Sequence, residues 1–192
     1  MVECPELDGM GRKIAGQPLM KTPVMLDTSF LISLLDRNRP HHSVAQQYYK
    51  ALLERESPLY FSAIVAAEIA IRQPITDLPL KNFRSLPFNT THSMETGRIW
   101  NLLWEIGNGD NGAAVKDDVK LIAQALYEKI PFILTAEESA LDTYCERLRT
   151  LDNANVRAIK LSDGFSYSAF SLDGQTDLET FCALGELKAF LN

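Results

Sequence analysis

Short apolar runs alternate along the chain with longer segments in which apolar residues recur at helical spacing. Residues 23–27, 59–62 and 131–135 are typical of buried strands, and weaker strand signals lie within 81–89 and 155–163. Helical spacing occurs in the segments 28–36, 43–56, 62–72, 93–106, 116–129 and 137–149. This alternation predicts an α/β domain built on a mainly parallel sheet.

The same pattern predicts where the domain begins and ends. Residues 1–22 are rich in Gly, Pro and charge, which is typical of a loose N-terminal arm. The alternation occupies residues 23–163, and residues 164–192 form an extension beyond it. In that extension, helical spacing predicts an amphipathic helix from the apolar residues Leu178, Phe181, Leu184, Leu187 and Leu191.

Composition narrows the class of protein. The chain of 192 residues is 46% hydrophobic and 23% charged, as expected of a soluble domain with a sizeable core. A net charge of -6 argues against a protein that coats polyanions, although carboxylates gathered around metal ions would also make a nuclease acidic. Three scattered cysteines, no signal peptide and no membrane span predict a cytoplasmic protein.

Several conspicuous residues have ordinary explanations. Residues 107–112 match G-x-G-x-x-G, but they follow a helix instead of a strand, so we interpret them as a loop. The three histidines, His41, His42 and His92, are interpreted as solvated loop residues. The two tryptophans, Trp100 and Trp104, are interpreted as core or subunit-interface residues.

Two acidic residues directly follow predicted strands. Asp27 ends the first strand, and Glu137 lies just beyond the strand 131–135. Ligands bind outside the carboxyl ends of the strands of an open parallel sheet, which places both side chains on the functional rim. Each has a structural alternative, since Asp27 could cap the next helix and Glu137 could favour a helix N-terminus.

Two further acids occur on apolar helix faces. Glu68 is surrounded by apolar residues and needs either an ion pair with Arg72 or a metal ion. Asp118 continues the apolar stripe of Leu121, Ile122 and Ala125, whereas Asp117 is rotated by about 100° from it on helical geometry. Asp117 therefore has an adequate explanation as a helix-start acid.

Four carboxylates are thus predicted to converge, those of Asp27, Glu68, Asp118 and Glu137. Clustered carboxylates repel one another unless a cation neutralises them, and hard cations such as Mg2+ or Mn2+ suit oxygen ligands. Such ions activate water for displacement at phosphorus. The set therefore predicts metal-dependent phosphodiester hydrolysis, with Arg72, Lys116 and Lys120 as candidate phosphate contacts.

Four short motifs resemble those of PIN-domain ribonucleases. The motifs are VMLDTSFLISLLD, LYFSAIVAAEIA, DVKLIAQAL and FILTAEESAL, in the family's order. The resemblance implies a three-layer α/β/α fold and Mg2+- or Mn2+-dependent cleavage of RNA. It assigns metal-site roles to Asp27, Glu68, Asp118 and Glu137, and it matches Ser29 to a hydroxyl that orders the metal and its waters. Thr135 and Asp117 are expected beside these ligands.

The resemblance also implies partners. Many members are toxins of bacterial toxin–antitoxin pairs, so an RNA substrate, an antitoxin and a homodimer are expected. The fourth motif carries Glu137 where the family usually has Asp, and the extension from residue 164 exceeds the compact toxin pattern. The alternative is a catalytically weak PIN-like module that binds RNA or protein. A haloacid dehalogenase-type phosphatase is disfavoured because the first strand is followed by DTS instead of D-x-D.

Overall fold

A computed structural model describes residues 21–104, 113–136 and 140–170, without the side chains of 113–116. The predicted N-terminal arm up to residue 20, the 107–112 loop, Glu137 and the predicted helix of the extension lie outside the described residues.

The centre of the fold is a five-stranded sheet. Its strands are β1 Val24–Leu26, β2 Leu59–Ser62, β3 Phe83–Leu86, β4 Phe132–Thr135 and β5 Arg157–Lys160. The order across the sheet is β3-β2-β1-β4-β5 and every neighbouring pair is parallel, as the alternating pattern predicted. Strands β1 and β4 are buried along their whole length, because helices cover a parallel sheet on both faces.

Six helices flank the sheet. They are α1 Thr28–Leu35, α2 His42–Glu54, α3 Ala63–Ala70, α4 Thr90–Trp104, α5 Ala113–Tyr127 and α6 Ala140–Asp152. Helix α1 packs against α2 and α3, whereas α4, α5 and α6 pack against one another. The two groups form the outer layers of a three-layer α/β/α fold, which confirms the predicted fold class. None of the helices in the described ranges is long and apolar enough to cross a membrane.

Three helices end in residues with left-handed backbone conformation. Glu56, Lys129 and Asn153 have φ of 52°, 57° and 49°. Beyond Glu56 and Lys129, the amides of Ser57 and Ile130 donate to the carbonyls of Leu52 and Ala125, which closes the helix end as in the Schellman motif. These turns reverse the chain directly into the strands β2, β4 and β5.

The residues after β5 return to the core. The Tyr48 hydroxyl of α2 donates to the Gly164 carbonyl at 3.0 Å and accepts from the Ser166 amide at 3.3 Å. Phe165 and Phe170 make edge-to-face contacts with the Tyr48 ring at centroid distances of 4.9 and 5.8 Å. Residues 164–170 therefore cover part of α2, and the domain boundary at residue 163 stays a prediction.

The prediction of solvated histidines is wrong for His92. Its side chain is fully buried in α4, where Nδ1 accepts from the Asn89 amide at 3.1 Å and Nε2 lies 2.9 Å from Glu128 Oε1. The polar neighbours of His92 in sequence suggested a loop, but its partner Glu128 lies 36 residues away and supplies the hydrogen bond that burial requires. Trp100 and Trp104 stack on each other at 4.0 Å on the same helix.

Candidate active site

A cleft of about 700 Å³ opens at the carboxyl edge of the sheet. The strand order reverses between β1 and β4, since the chain builds β2 and β3 on one side of β1 before adding β4 on the other. Loops diverge at such a point and leave a crevice for a ligand. The cleft has polar lining residues on several elements, namely Asp27, Thr28, Ser29, Ser33, Arg39, His41, Glu68, Arg72, Asp117 and Asp118.

Asp27 joins β1 to α1 and is held from several directions. Its amide donates to the Leu134 carbonyl of β4 at 3.0 Å, which fixes its backbone beside that strand. Its Oδ2 accepts from the hydroxyls of Ser29 and Thr135, at 2.6 and 3.0 Å, and from the Ser29 amide at 3.3 Å. Asp27 thus caps α1 and also faces the cleft, so its two proposed roles are compatible.

Ser29 connects the two strand ends. While its hydroxyl donates to Asp27, the same oxygen accepts from the Ala136 amide at 2.8 Å, just beyond β4. The hydroxyl oxygens of Ser29 and Thr135 lie 3.0 Å apart. Both residues were expected beside the metal ligands, and the structure has both in contact with Asp27 Oδ2. Because that oxygen receives three donors, the orientation of the carboxylate is fixed.

Glu68 reaches the same cleft from α3. Its Oε2 accepts a hydrogen bond from the Thr28 hydroxyl, which lies next to Asp27 in sequence. Within the described part of the chain, Glu68 and Arg72 form no ion pair, so the simpler of the two explanations for Glu68 does not hold. The segment Asp27–Ser29 therefore supplies one carboxylate and two hydroxyls that orient the acidic groups.

Helix α5 contributes Asp117 and Asp118. Leu121, Ile122 and Ala125 are buried, as the apolar stripe through Asp118 predicted, and Asp118 lines the cleft. Asp117 lines it too, because the cleft is wide enough to meet both residues at the start of the helix. Lys120 Nζ donates to Asp117 Oδ1 at 2.7 Å.

Of the predicted basic contacts, Arg72 lies in the cleft lining and is exposed. Lys120 is engaged with Asp117, and the side chain of Lys116 lies outside the described residues. Glu137 is likewise outside them, while its neighbour Ala136 lines the cleft.

Sequence reasoning missed several lining residues, among them Thr28, Arg39 and His41. Thr28 was passed over because its partner Glu68 lies 40 residues away, and no local pattern links them. Arg39 and His41 were missed because they lie in the turn between α1 and α2, where basic residues are ordinarily solvated. The histidine prediction therefore overlooked that His41 faces the acidic cleft.

The side chains around the cleft are of the chemical type that binds a hard divalent cation. The carboxylates around the cleft offer oxygen ligands, which Mg2+ and Mn2+ prefer. Over the described ranges, no group of three or more His, Cys, Asp or Glu side chains is arranged to hold a metal ion. Mg2+ is commonly held by one or two carboxylates together with waters and substrate phosphates, and the arrangement is compatible with that mode.

Cys145 is buried in the core and does not line the cleft. It lies on α6, where burial and the nearby carboxylates of Asp142 and Glu146 raise the pKa of its thiol. A raised pKa keeps the sulfur protonated at neutral pH, and a protonated thiol is a poor nucleophile. Cys145 is therefore a core residue of the domain.

Fold and site together define a class of protein: an α/β/α domain with an acidic cleft at the switch point of a parallel sheet. Comparison with protein families identifies the class, since the family model described as PIN domain matches residues 24–145. The chain belongs to the PIN domain family. The match extends from β1 into α6 and includes every described carboxylate of the cleft.

Solved structures of similar fold agree with this assignment. VapBC2 from Rickettsia felis, bound to a DNA fragment from their promoter, matches with 13% identity and a TM-score of 0.53, over 72% of this chain and 98% of that one. FitAcB from Neisseria gonorrhoeae matches with 16% identity, the same TM-score and the same coverage. Identities this low support the fold alone. The comparison with curated proteins finds no match.

Proposed function

We propose that the chain is an endoribonuclease that hydrolyses RNA phosphodiester bonds at the acidic cleft with Mg2+ or Mn2+. The observation that carries the proposal is that Asp27, Glu68 and Asp118 line one cleft at the switch point of the sheet. These carboxylates belong to three different elements. A fold gains nothing in stability by placing like charges around one cleft, so a cationic ligand is the natural reason for this arrangement.

Asp27, Glu68 and Asp118 would hold the metal ion, directly or through water. A bound divalent cation would supply Lewis-acid stabilisation of the phosphoryl oxygens and would lower the pKa of an attacking water. Glu137, whose neighbour Ala136 lines the cleft, is proposed to complete the site. Its side chain is one methylene longer than the Asp usual at that position.

Neighbouring hydroxyl groups fix the carboxylates before any ligand binds. Ser29 and Thr135 orient Asp27, and Thr28 orients Glu68. Such preorganisation removes the need for side chains to be ordered during the reaction. Asp117, paired with Lys120, would tune the electrostatics beside Asp118, while Arg72, Lys116 and Lys120 would contact phosphates.

A toxin role with an antitoxin partner, a homodimeric state and a cytoplasmic location complete the proposal. The family resemblance supports the toxin role. The similarity in fold to VapBC2 and FitAcB is consistent with a protein partner. The amphipathic pattern in the extension supports a helix that serves a dimer or antitoxin interface.

Metal dependence is tested first on the purified full-length chain with a labelled single-stranded RNA. We expect cleavage in Mn2+, none in EDTA, and none for Asp27→Asn in either condition. Asp77→Asn is the matched control, since Asp77 is exposed in the described structure and does not line the cleft. RNA cleavage in EDTA would contradict the proposal, whereas metal binding without cleavage of any RNA would favour the binding module.

A further inference from the structure

Two arginines lie where the cleft meets a second, smaller groove. The groove has a volume of about 270 Å³ and runs between α1 and α3. The cleft and the groove share three lining residues, Ile32, Arg39 and Arg72. Arg39 and Arg72 therefore flank the passage from the acidic centre to the groove.

The turn that carries Arg39 is fixed by several hydrogen bonds. Asp36 accepts from the Asn38 amide through Oδ1 at 2.9 Å and from the Arg39 amide through its carbonyl at 3.1 Å. The Arg39 carbonyl accepts from the His42 amide at 3.1 Å, and His42 Nδ1 lies 2.9 Å from the Ser33 carbonyl. The backbone of Arg39 is therefore held in place relative to α1, although its side chain is 47% exposed.

The backbone of Arg72 is held in place on the α3 side of the groove. Its amide donates to the Ile69 carbonyl at 2.9 Å just after α3, and Pro74 follows two residues later. The Arg72 guanidinium makes no ion pair or hydrogen bond with any other described residue, although Glu68 lies one helical turn earlier. Within the described ranges, the Arg39 side chain has one long ionic contact, from Nε to Asp36 Oδ2 at 3.7 Å.

Two weakly paired guanidinium groups beside several carboxylates need an explanation in terms of a ligand. A polyanion is repelled by the acidic centre and by the net charge of -6, so cations must compensate locally at its point of entry. Guanidinium groups bind phosphate in a bidentate geometry. Their position at the mouth of the groove would meet the phosphate next to the one that reacts.

We propose that Arg39 and Arg72 form a clamp for an RNA backbone phosphate adjacent to the scissile one, with the strand continuing into the groove between α1 and α3. This inference rests on the proposed ribonuclease function but concerns binding. It assigns the two arginines to substrate positioning and leaves the chemistry to the carboxylates.

The test measures RNA binding in EDTA, so that no cleavage occurs. Fluorescence anisotropy of a labelled single-stranded RNA is followed for the full-length wild type and for Arg39→Ala and Arg72→Ala over a range of salt concentrations. Each variant should bind roughly tenfold more weakly. Each should also reduce the slope of log K against log salt concentration, and the double variant should reduce it by about 0.7, the value for one phosphate contact on a single strand.

Arg149→Ala is the matched control. Arg149 is half-buried on α6 and, like Arg39, contacts an acidic residue three positions earlier in the chain, but it does not line the cleft or the groove. Its affinity and slope should equal those of the wild type. The charge-conserving variants Arg39→Lys and Arg72→Lys should keep the wild-type salt dependence but only part of the wild-type affinity, because lysine lacks the bidentate fork.

The outcomes separate this inference from the proposed function. If the wild type cleaves RNA but both arginine variants bind RNA with the wild-type slope, the proposed clamp is wrong and the proposed ribonuclease function stands. The arginines would then suit a carboxylate-bearing protein partner. RNA binding with the expected slope changes, but without cleavage in Mn2+, would support the clamp and reject the nuclease. Absence of any RNA binding by the wild type would reject the clamp.

Discussion

At the scale of single residues, the tripeptide Asp27-Thr28-Ser29 organises the cleft. Asp27 supplies a carboxylate, Ser29 orients that carboxylate, and Thr28 donates to Glu68 on a separate helix. Alternate side chains of this tripeptide therefore pair with each other, while the middle one reaches a different helix. Local sequence predicted the position of Asp27 at the edge of the sheet, where it lines the cleft, but not the partner of Thr28, because hydrogen bonds across 40 residues leave no periodic signal.

Removing the Thr28 hydroxyl should release Glu68. A hydrogen bond to a charged group contributes about 1.5–3 kcal/mol, so Thr28→Val should raise the Mn2+ concentration for half-maximal binding roughly tenfold or more. Thr28→Ser retains the donor and should bind Mn2+ almost as the wild type does. The measurement is Mn2+ titration followed by electron paramagnetic resonance.

Thr150→Val serves as the control for the loss of a hydroxyl. Thr150 is exposed on α6, where its hydroxyl donates to a backbone carbonyl in its own helix, and it should leave Mn2+ affinity unchanged. Equal Mn2+ affinity of Thr28→Val and the wild type would show that Thr28 does not orient a metal ligand.

At the scale of elements, helix α2 is joined to the residues after β5 through Tyr48. The hydroxyl is bonded at both sides, to Gly164 and Ser166, and burial raises the pKa of the phenol. The nearby Asp163 raises it further, whereas the hydrogen bond from the Ser166 amide lowers it. Tyr48 can therefore donate to the Gly164 carbonyl only while its phenol is protonated.

This raised pKa predicts a loss of stability at high pH. An unfolded tyrosine ionises near pH 10, so the contribution of Tyr48 is complete below that pH. As pH rises from about 10 through the higher folded pKa, ionisation favours the unfolded chain and the contribution disappears. Urea unfolding at pH 8 and pH 11 should show a smaller decline for Tyr48→Phe than for the wild type.

At pH 8 the same variant should be less stable by about 1 kcal/mol, the usual contribution of a hydrogen bond. Tyr127→Phe is the comparison, since Tyr127 is 49% exposed and should decline with pH as the wild type does. An identical pH dependence of Tyr48→Phe and wild type would contradict the account.

Helices and strands were predictable here to different degrees. The apolar runs 59–62 and 131–135 coincide closely with β2 and β4, because a strand buried on both faces must be apolar throughout. The sequence could not supply the order of the strands, which depends on contacts between distant segments. The periodicity of α5 identified Asp118 correctly as a cleft residue, but it understated Asp117, since both lie in the first turns of the helix and the cleft meets both.

At the scale of the whole molecule, the order of the strands determines where the cleft lies. The chain places β4 beside β1 after building β2 and β3 on the far side, so the residues that follow β1 and β4 face one another across a crevice. The position of Asp27 and Glu137 directly after predicted parallel strands had placed both residues on the same rim of the sheet. That argument did not predict that Arg39 and His41, in the turn before α2, line the cleft.

The central claim is that this cleft hydrolyses RNA through Asp118 as a metal ligand, with Asp117 as its neighbour. The most direct measurement is the rate of RNA cleavage in Mn2+ by Asp118→Asn, with Asp117→Asn beside it as the matched control. Loss of a metal ligand should lower the rate by more than about a hundredfold, since even residues that only support ligands contribute tenfold to a hundredfold. The account predicts that Asp118→Asn is inactive while Asp117→Asn retains most of its activity; an active Asp118→Asn with an inactive Asp117→Asn would contradict it.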